Sequence, residues 1–184
     1  MTSNAARILV ILSAIAAAAA LRLVPHPPNF TPIGAMALFS GAYLGLRGVI
    51  AFAAPLGALL LSDAVLGFDS GMALNYLAVA LIVVLGSAAL RRIASLRLIG
   101  SALGASLLFF VVSNLGVWAS SGMYPLNAAG LSACFVAALP FFENTVAADL
   151  FYCALLFGGF ALLERMVPML RRAGSSVATS PARR

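Results

Sequence analysis

The stretch MALNYLAVALIVVLGSAALRRIASLR, residues 72–97, decides the fold. From Met72 to Leu90 no side chain is charged, and a run of this kind is close to the 20 or so apolar residues that a membrane-crossing helix needs. Three arginines follow within seven residues, Arg91, Arg92 and Arg97. Short loops on the cytoplasmic side keep Lys and Arg, whereas exported loops lack them. The segment therefore reads as a helix that enters the cytoplasm, a basic turn, and a second helix that leaves, from about Leu98 to Ala119.

Working outward, the same pattern repeats. A first helix runs from about Arg7 to Val24 and ends at Pro25, because proline cannot continue the hydrogen-bond ladder and restricts the residue before it. Its arginine and alanine run resemble a signal peptide superficially, but it reads as a retained helix. Residues 25–32 form a stiff loop, and Thr31 followed by Pro32 supplies a cap and first turn for a second helix reaching about Leu46. A third covers about Val49 to Leu66, with Pro55 producing a kink that neighbouring helices must accommodate. Downstream of Pro125, Ala128 to Phe142 is short for a span and is stopped by Pro140 and Glu143, and a sixth helix runs from about Thr145 to Met166. Residues 168–184 read as a disordered basic tail and residues 1–167 as one transmembrane domain.

Composition agrees. Of 184 residues 63% are hydrophobic and 9% charged, and the mean hydropathy is +1.08, far from the roughly 25% charged residues of soluble domains. All eleven basic residues are arginine. With the N-terminus inside, every arginine except Arg22 falls on the cytoplasmic side, which sets aside nucleic-acid binding. Keeping the tail there needs an even number of spans. The expectation is an all-α protein of the bacterial inner membrane with about six transmembrane helices and both termini cytoplasmic, the 128–142 segment being a re-entrant or interfacial outer helix. A seven-span arrangement would export the arginine-rich tail.

In this orientation the uncommon polar residues collect near the outer surface. His26, Asn29 and Thr31 come from the first loop, Asp63 and Asp69 from the end of helix three, and Asn75 from helix four. Asn114 and Trp118 follow, four apart on one face. The last outer segment brings Tyr124, Glu143, Asn144, Thr145, Asp149 and Tyr152. Ionisable groups in hydrocarbon cost several kcal/mol unless paired or facing a cavity, so Asp63 and Asp149 need an explanation. One is a small-molecule pocket lined by Asp63, Asn114, Trp118, Asn144 and Asp149, with His26 and Asn29 in its lid. The other is helix capping, with Trp118 and Tyr124 as interfacial anchors. Helices two, four and six point their positive dipole ends at such a pocket while the aspartates supply negative charge, so an amphoteric or neutral polar ligand fits as well as a cation.

Small residues at Ala14/Ala18, Ala16/Ala20 and Gly100/Gly104 have the spacing that lets helices approach closely in lipid, within the chain or against a partner. Cys134 and Cys153 read as small buried hydrophobes. The sequence has no GxSxG, HExxH or Walker glycine loop and a single histidine, which leaves no recognised enzyme, metal site or cofactor site.

The motif PHPPNFTPIGAMALF at residues 25–39, with Leu61-Ser62-Asp63, residues 113–118, residues 140–145 and Asp149-Leu150-Phe151-Tyr152, resembles a bacterial multi-pass membrane family known as a domain of unknown function. More distantly, the plan resembles the S components of energy-coupling factor vitamin transporters, six-helix proteins whose pocket opens outward under the first loop. That likeness implies a vitamin or similar ligand, and docking of Ala16 and Ala20 on a coupling transmembrane subunit that works with ATPases. A stand-alone carrier or channel, or a non-transporting membrane scaffold, would use the same layout.

Overall fold

A computed structural model describes residues 3–46, 48–68 and 71–171. Arg47, Asp69 and residues 172–184 of the basic tail lie outside the described residues. Among those described there are six α-helices and no strand: α1 Ser3–Ala20, α2 Ile33–Leu44, α3 Ile50–Leu66, α4 Met72–Ala89, α5 Ser95–Ser120 and α6 Ala128–Met166. Four stretches are long and apolar enough to cross a membrane, Asn4–Leu23, Met72–Ala89, Ser95–Ser120 and Ala128–Met166. Their outer faces carry exposed Leu9, Leu77, Leu107 and Leu155, which a soluble protein would bury but lipid accepts. The chain is a membrane protein on these grounds.

Two elements differ from expectation. At 12 residues, α2 is about 18 Å long, well short of the roughly 30 Å hydrocarbon layer. Ala128–Phe142 is no separate outer helix but the first part of the 39-residue α6, with Pro140 inside it. A proline removes one hydrogen bond without obliging a helix to stop. Here Phe135 and Phe142, two turns apart on either side of Pro140, both pack on the Phe110 ring of α5, with centroids at 5.5 and 4.8 Å. That shared contact carries the helix through.

The shortest helix is the central one, since α2 packs against all five others. Residues Ala35 to Phe39 have no exposure. Its contact with α4 is backbone against backbone, because a Cβ on Gly41 would stand 2.0 Å from the Val83 carbonyl oxygen and one on Gly86 2.4 Å from that of Leu38. The Gly100/Gly104 pair of α5 makes no such approach: Gly100 has nothing nearby and Gly104 meets only the Leu85 side chain. On the other flank, Pro55 cannot donate to the carbonyl of Ala51, and the fully buried Ser40 hydroxyl of α2 supplies the missing bond at 2.7 Å. This is the neighbour-helix compensation that a proline in a membrane helix requires.

The start of α1 and the end of α6 meet at one end of the bundle. Arg7 pairs with Glu164 and also donates to the Leu170 carbonyl. Pro168–Leu170, assigned by sequence to the disordered tail, form a 3-10 turn with Leu170 buried. Cys134 and Cys153 are both buried and unbridged.

Candidate functional site

At the opposite end, residues 24–32 lead from α1 into the start of α2. The Phe30 N–H donates to the Pro27 carbonyl at 3.0 Å, closing a turn in which Asn29 takes a φ of 61°, a left-handed conformation asparagine tolerates better than most residues. Two contacts clip this loop to α6. Asn144 Nδ2 donates to the Pro28 carbonyl at 2.9 Å, and the Phe30 ring lies 6.0 and 5.7 Å from Phe151 and Tyr152. His26 turns its Nδ1 to the adjacent Pro27 carbonyl, at 2.9 Å.

Below the loop lies a cavity of about 280 Å3. The loop contributes Asn29 and Thr31, α2 its first residues Ile33 and Gly34, α4 Asn75, α5 Ser113 and Asn114, α6 Thr145 and Asp149, and the end of the first helical segment Arg22. Phe109 and Val117 of α5 complete it, so the lining mixes apolar surface with hydroxyl and amide groups, one guanidinium and one carboxyl.

The structure divides the residues proposed from sequence. Asn29, Asn114 and Asp149 line the cavity; His26, Asp63, Trp118 and Asn144 do not. Trp118 donates its indole N–H to the Pro125 carbonyl at 3.0 Å, and Asn144 holds the loop. Asp63 is buried and bonded elsewhere: Arg22 Nη1 lies 2.9 Å from its Oδ1, and the Tyr76 hydroxyl donates to its Oδ2 at 3.0 Å. Arg22 Nη1 also donates to Ser62.

Asp149 is 2% exposed. The Ser106 hydroxyl lies 2.6 Å from its Oδ2, and the Ala35 backbone N–H bonds to it. Ala35 belongs to the first turn of α2, whose N–H groups have no partner within the helix. The sequence assigned this cap to Thr31; in the structure α2 has no side-chain cap from its own N-cap residue, Pro32, and Asp149 serves from α6. Gly34 makes room, since a Cβ there would stand 2.3 Å from Asp149 Oδ1.

Arg22 is the residue that sequence reasoning missed, having counted it only as the lone outer arginine. The available signal was Asp63, because a carboxylate near a span needs a cation and Arg22 was the only one on that side. Its Nε is buried without a hydrogen-bond partner. Among the described residues no three His, Cys, Asp or Glu side chains converge to hold a metal.

Ala16 and Ala20, proposed for docking, are exposed. They line an apolar groove between α1 and α3 together with Ala58 and Leu61. The sequence model of a family of unknown function (DUF6580) matches residues 2–170. No curated protein and no solved structure matches the chain.

Proposed function

The chain belongs to the DUF6580 family, whose function is unknown, and we propose that this member captures a small polar molecule for uptake, as a substrate-binding membrane subunit. The observation that carries the reading is the cavity under the clipped loop, where Arg22, Asn29, Thr31, Asn75, Ser113, Asn114, Thr145 and Asp149 meet from separate segments. Pockets that bind small molecules are concave and fix orientation with a few convergent polar groups. The Arg22 guanidinium at the wall offers donors only, and the amides of Asn75 and Asn114 offer both donors and acceptors.

The arginines support an orientation. Arg7, Arg91, Arg165 and Arg171 gather at the end away from the cavity, and Arg22 alone among the described arginines lies beside it. By the positive-inside rule, the cavity opens outward from a bacterial cytoplasmic membrane with both chain ends inside. In this reading the protein is not an enzyme, and a coupling transmembrane subunit with its ATPases docks along Ala16 and Ala20.

The test is thermal stability of the purified protein against a panel of water-soluble vitamins. A ligand that binds only the folded form stabilises it, by about 2.7 kcal/mol at a hundredfold excess over Kd. Expected is one compound that raises the melting temperature of the wild type but not of Asn75→Ala or Asn114→Ala. No shift with any compound, or a shift the substitutions leave intact, overturns the proposal. Uptake into liposomes by the chain alone would make it a stand-alone carrier instead.

A further inference from the structure

The opposite end of the bundle holds a second polar recess, unconnected with the cavity under the loop. It has a volume of about 280 Å3 and is lined by Arg7, Tyr43, Leu90, Arg91, Ile93, Glu164 and Arg171, together with Ala42. A neighbouring recess of about 430 Å3, between the end of α2 and Ser87, shares Ala42, Tyr43 and Arg91 with it.

The charges in this recess do not balance. Three arginines face one carboxyl, and Glu164 is already taken by Arg7. Arg7 is buried and further held by the Leu170 carbonyl, with its guanidinium over the Phe160 and Tyr43 rings at 5.0 and 5.5 Å. Arg171 is fixed by bonds from Nε to the Glu164 carbonyl at 3.0 Å and from Nη2 to that of Arg165 at 3.2 Å. Those carbonyls belong to the last turn of α6, so this guanidinium is anchored by main chain, and no carboxylate of the described residues pairs with it. Arg91 lines both recesses and has no hydrogen-bond or ion-pair partner among the described residues. The surroundings are those of a membrane surface, with exposed Ile93 and Leu46 in the walls of the two recesses.

We infer that this arginine-lined recess binds the phosphate of an anionic phospholipid headgroup, with Arg91 and Arg171 as its ligands on a platform set by Arg7 and Glu164. Guanidinium forks match phosphate oxygens in geometry as well as charge, and basic pockets between membrane helices take anionic headgroups. The same chemistry would accept a free phosphate. The recess lies where four long apolar helices end or begin, and there the headgroup is the phosphate in greatest supply.

The test compares lipid retention by the full chain in neutral detergent, read by native mass spectrometry with phosphatidylglycerol, phosphatidylcholine or inorganic phosphate added. Wild type should retain phosphatidylglycerol over phosphatidylcholine, and Arg91→Ala should lower that retention about fivefold or more. Arg97→Ala removes the same charge from the adjoining segment outside the recess and should leave retention near wild type. Arg91 has no hydrogen-bond or ion-pair partner among the described residues, so its variant should melt as the wild type does. The inference is overturned by equal retention of the two lipids, by equal loss in Arg91→Ala and Arg97→Ala, or by Arg91→Ala retaining as much as wild type. It is also overturned, in favour of a soluble phosphate, if inorganic phosphate binds and displaces phosphatidylglycerol.

Discussion

Asp63 and Asp149 are both buried in helices of one bundle, yet their surroundings answer them in opposite ways. Asp63 has a cation, Arg22, and a phenol, Tyr76. Asp149 has a serine hydroxyl and a main-chain N–H at the start of α2, and no cation within ion-pair distance among the described residues. The first arrangement closes a corner between α3, α4 and the turn that follows α1, and only its Arg22 borders the cavity. The second puts a carboxyl on the cavity wall and uses it to hold the free end of the central helix. Burial of an acidic residue therefore does not mark a ligand contact in this protein; what distinguishes the two is which donors satisfy the carboxyl and whether it borders the empty volume.

The difference should appear first in stability. Asp63→Ala leaves the Arg22 guanidinium largely buried, since its side chain is 12% exposed, and unpaired, which costs about 3–5 kcal/mol. The double variant Arg22→Met/Asp63→Leu removes both charges and should regain most of that loss, because an apolar pair of similar size is often as stable as a buried ion pair. Unfolding in detergent micelles by added denaturant measures both. The double variant should nevertheless lose ligand binding, because Arg22 borders the cavity. If Asp63→Ala unfolds like wild type, the pair does not close the corner and the contrast with Asp149 disappears.

A smaller effect follows at Asp149, and its signature is non-additivity. Asp149→Ala strands the Ala35 N–H and should cost about 1–3 kcal/mol. Gly34→Ala should cost a similar 1–3 kcal/mol, because its methyl would overlap the Asp149 carboxyl. The two changes relieve each other, since removing the carboxyl makes room for the methyl. The double variant should be more stable than the sum of the single losses by about 0.5–3 kcal/mol. Additive losses would mean that Gly34 is needed for a reason other than the approach of Asp149.

These two neighbourhoods also show how far the sequence could be read. The helical class and the positions of α1, α3, α4 and α5 were legible from unbroken apolar runs bounded by arginine, proline and glycine. So was the convergence of Asn29, Asn114 and Asp149, because depth in a membrane sorts polar residues by position along each helix. The continuity of α6 was not legible, since it depends on Phe110 receiving Phe135 and Phe142 across Pro140, a contact between helices. The partnership of Arg22 with Asp63 joins residues 41 apart, and the capping of α2 by Asp149 joins segments further apart still. Long-range pairs of this kind decided which polar residues face the cavity and which hold the frame, and spacing within one helix carries no record of them.

The smallest effect is expected at the loop over the cavity. Asn144 lends one hydrogen bond to the Pro28 carbonyl, so Asn144→Ala should cost only about 0.5–1.5 kcal/mol and move the melting temperature little. The loop keeps its second clip, the Phe30 ring against Phe151 and Tyr152, and this should prevent release altogether. Local opening should still become more frequent, and amide exchange reads local opening directly. With prolines at 25, 27, 28 and 32, the reporting amide is that of Phe30, whose N–H donates to the Pro27 carbonyl, and its exchange should accelerate several-fold by that free energy while those of α4 do not change. Unchanged exchange would place the hold in the aromatic contact alone, and Phe30→Ala would then be the substitution that opens the loop. Faster exchange confined to this loop would identify it as the mobile cover of a cavity whose remaining walls, fixed by Asp149 and by the Gly41–Gly86 crossing, stay in place.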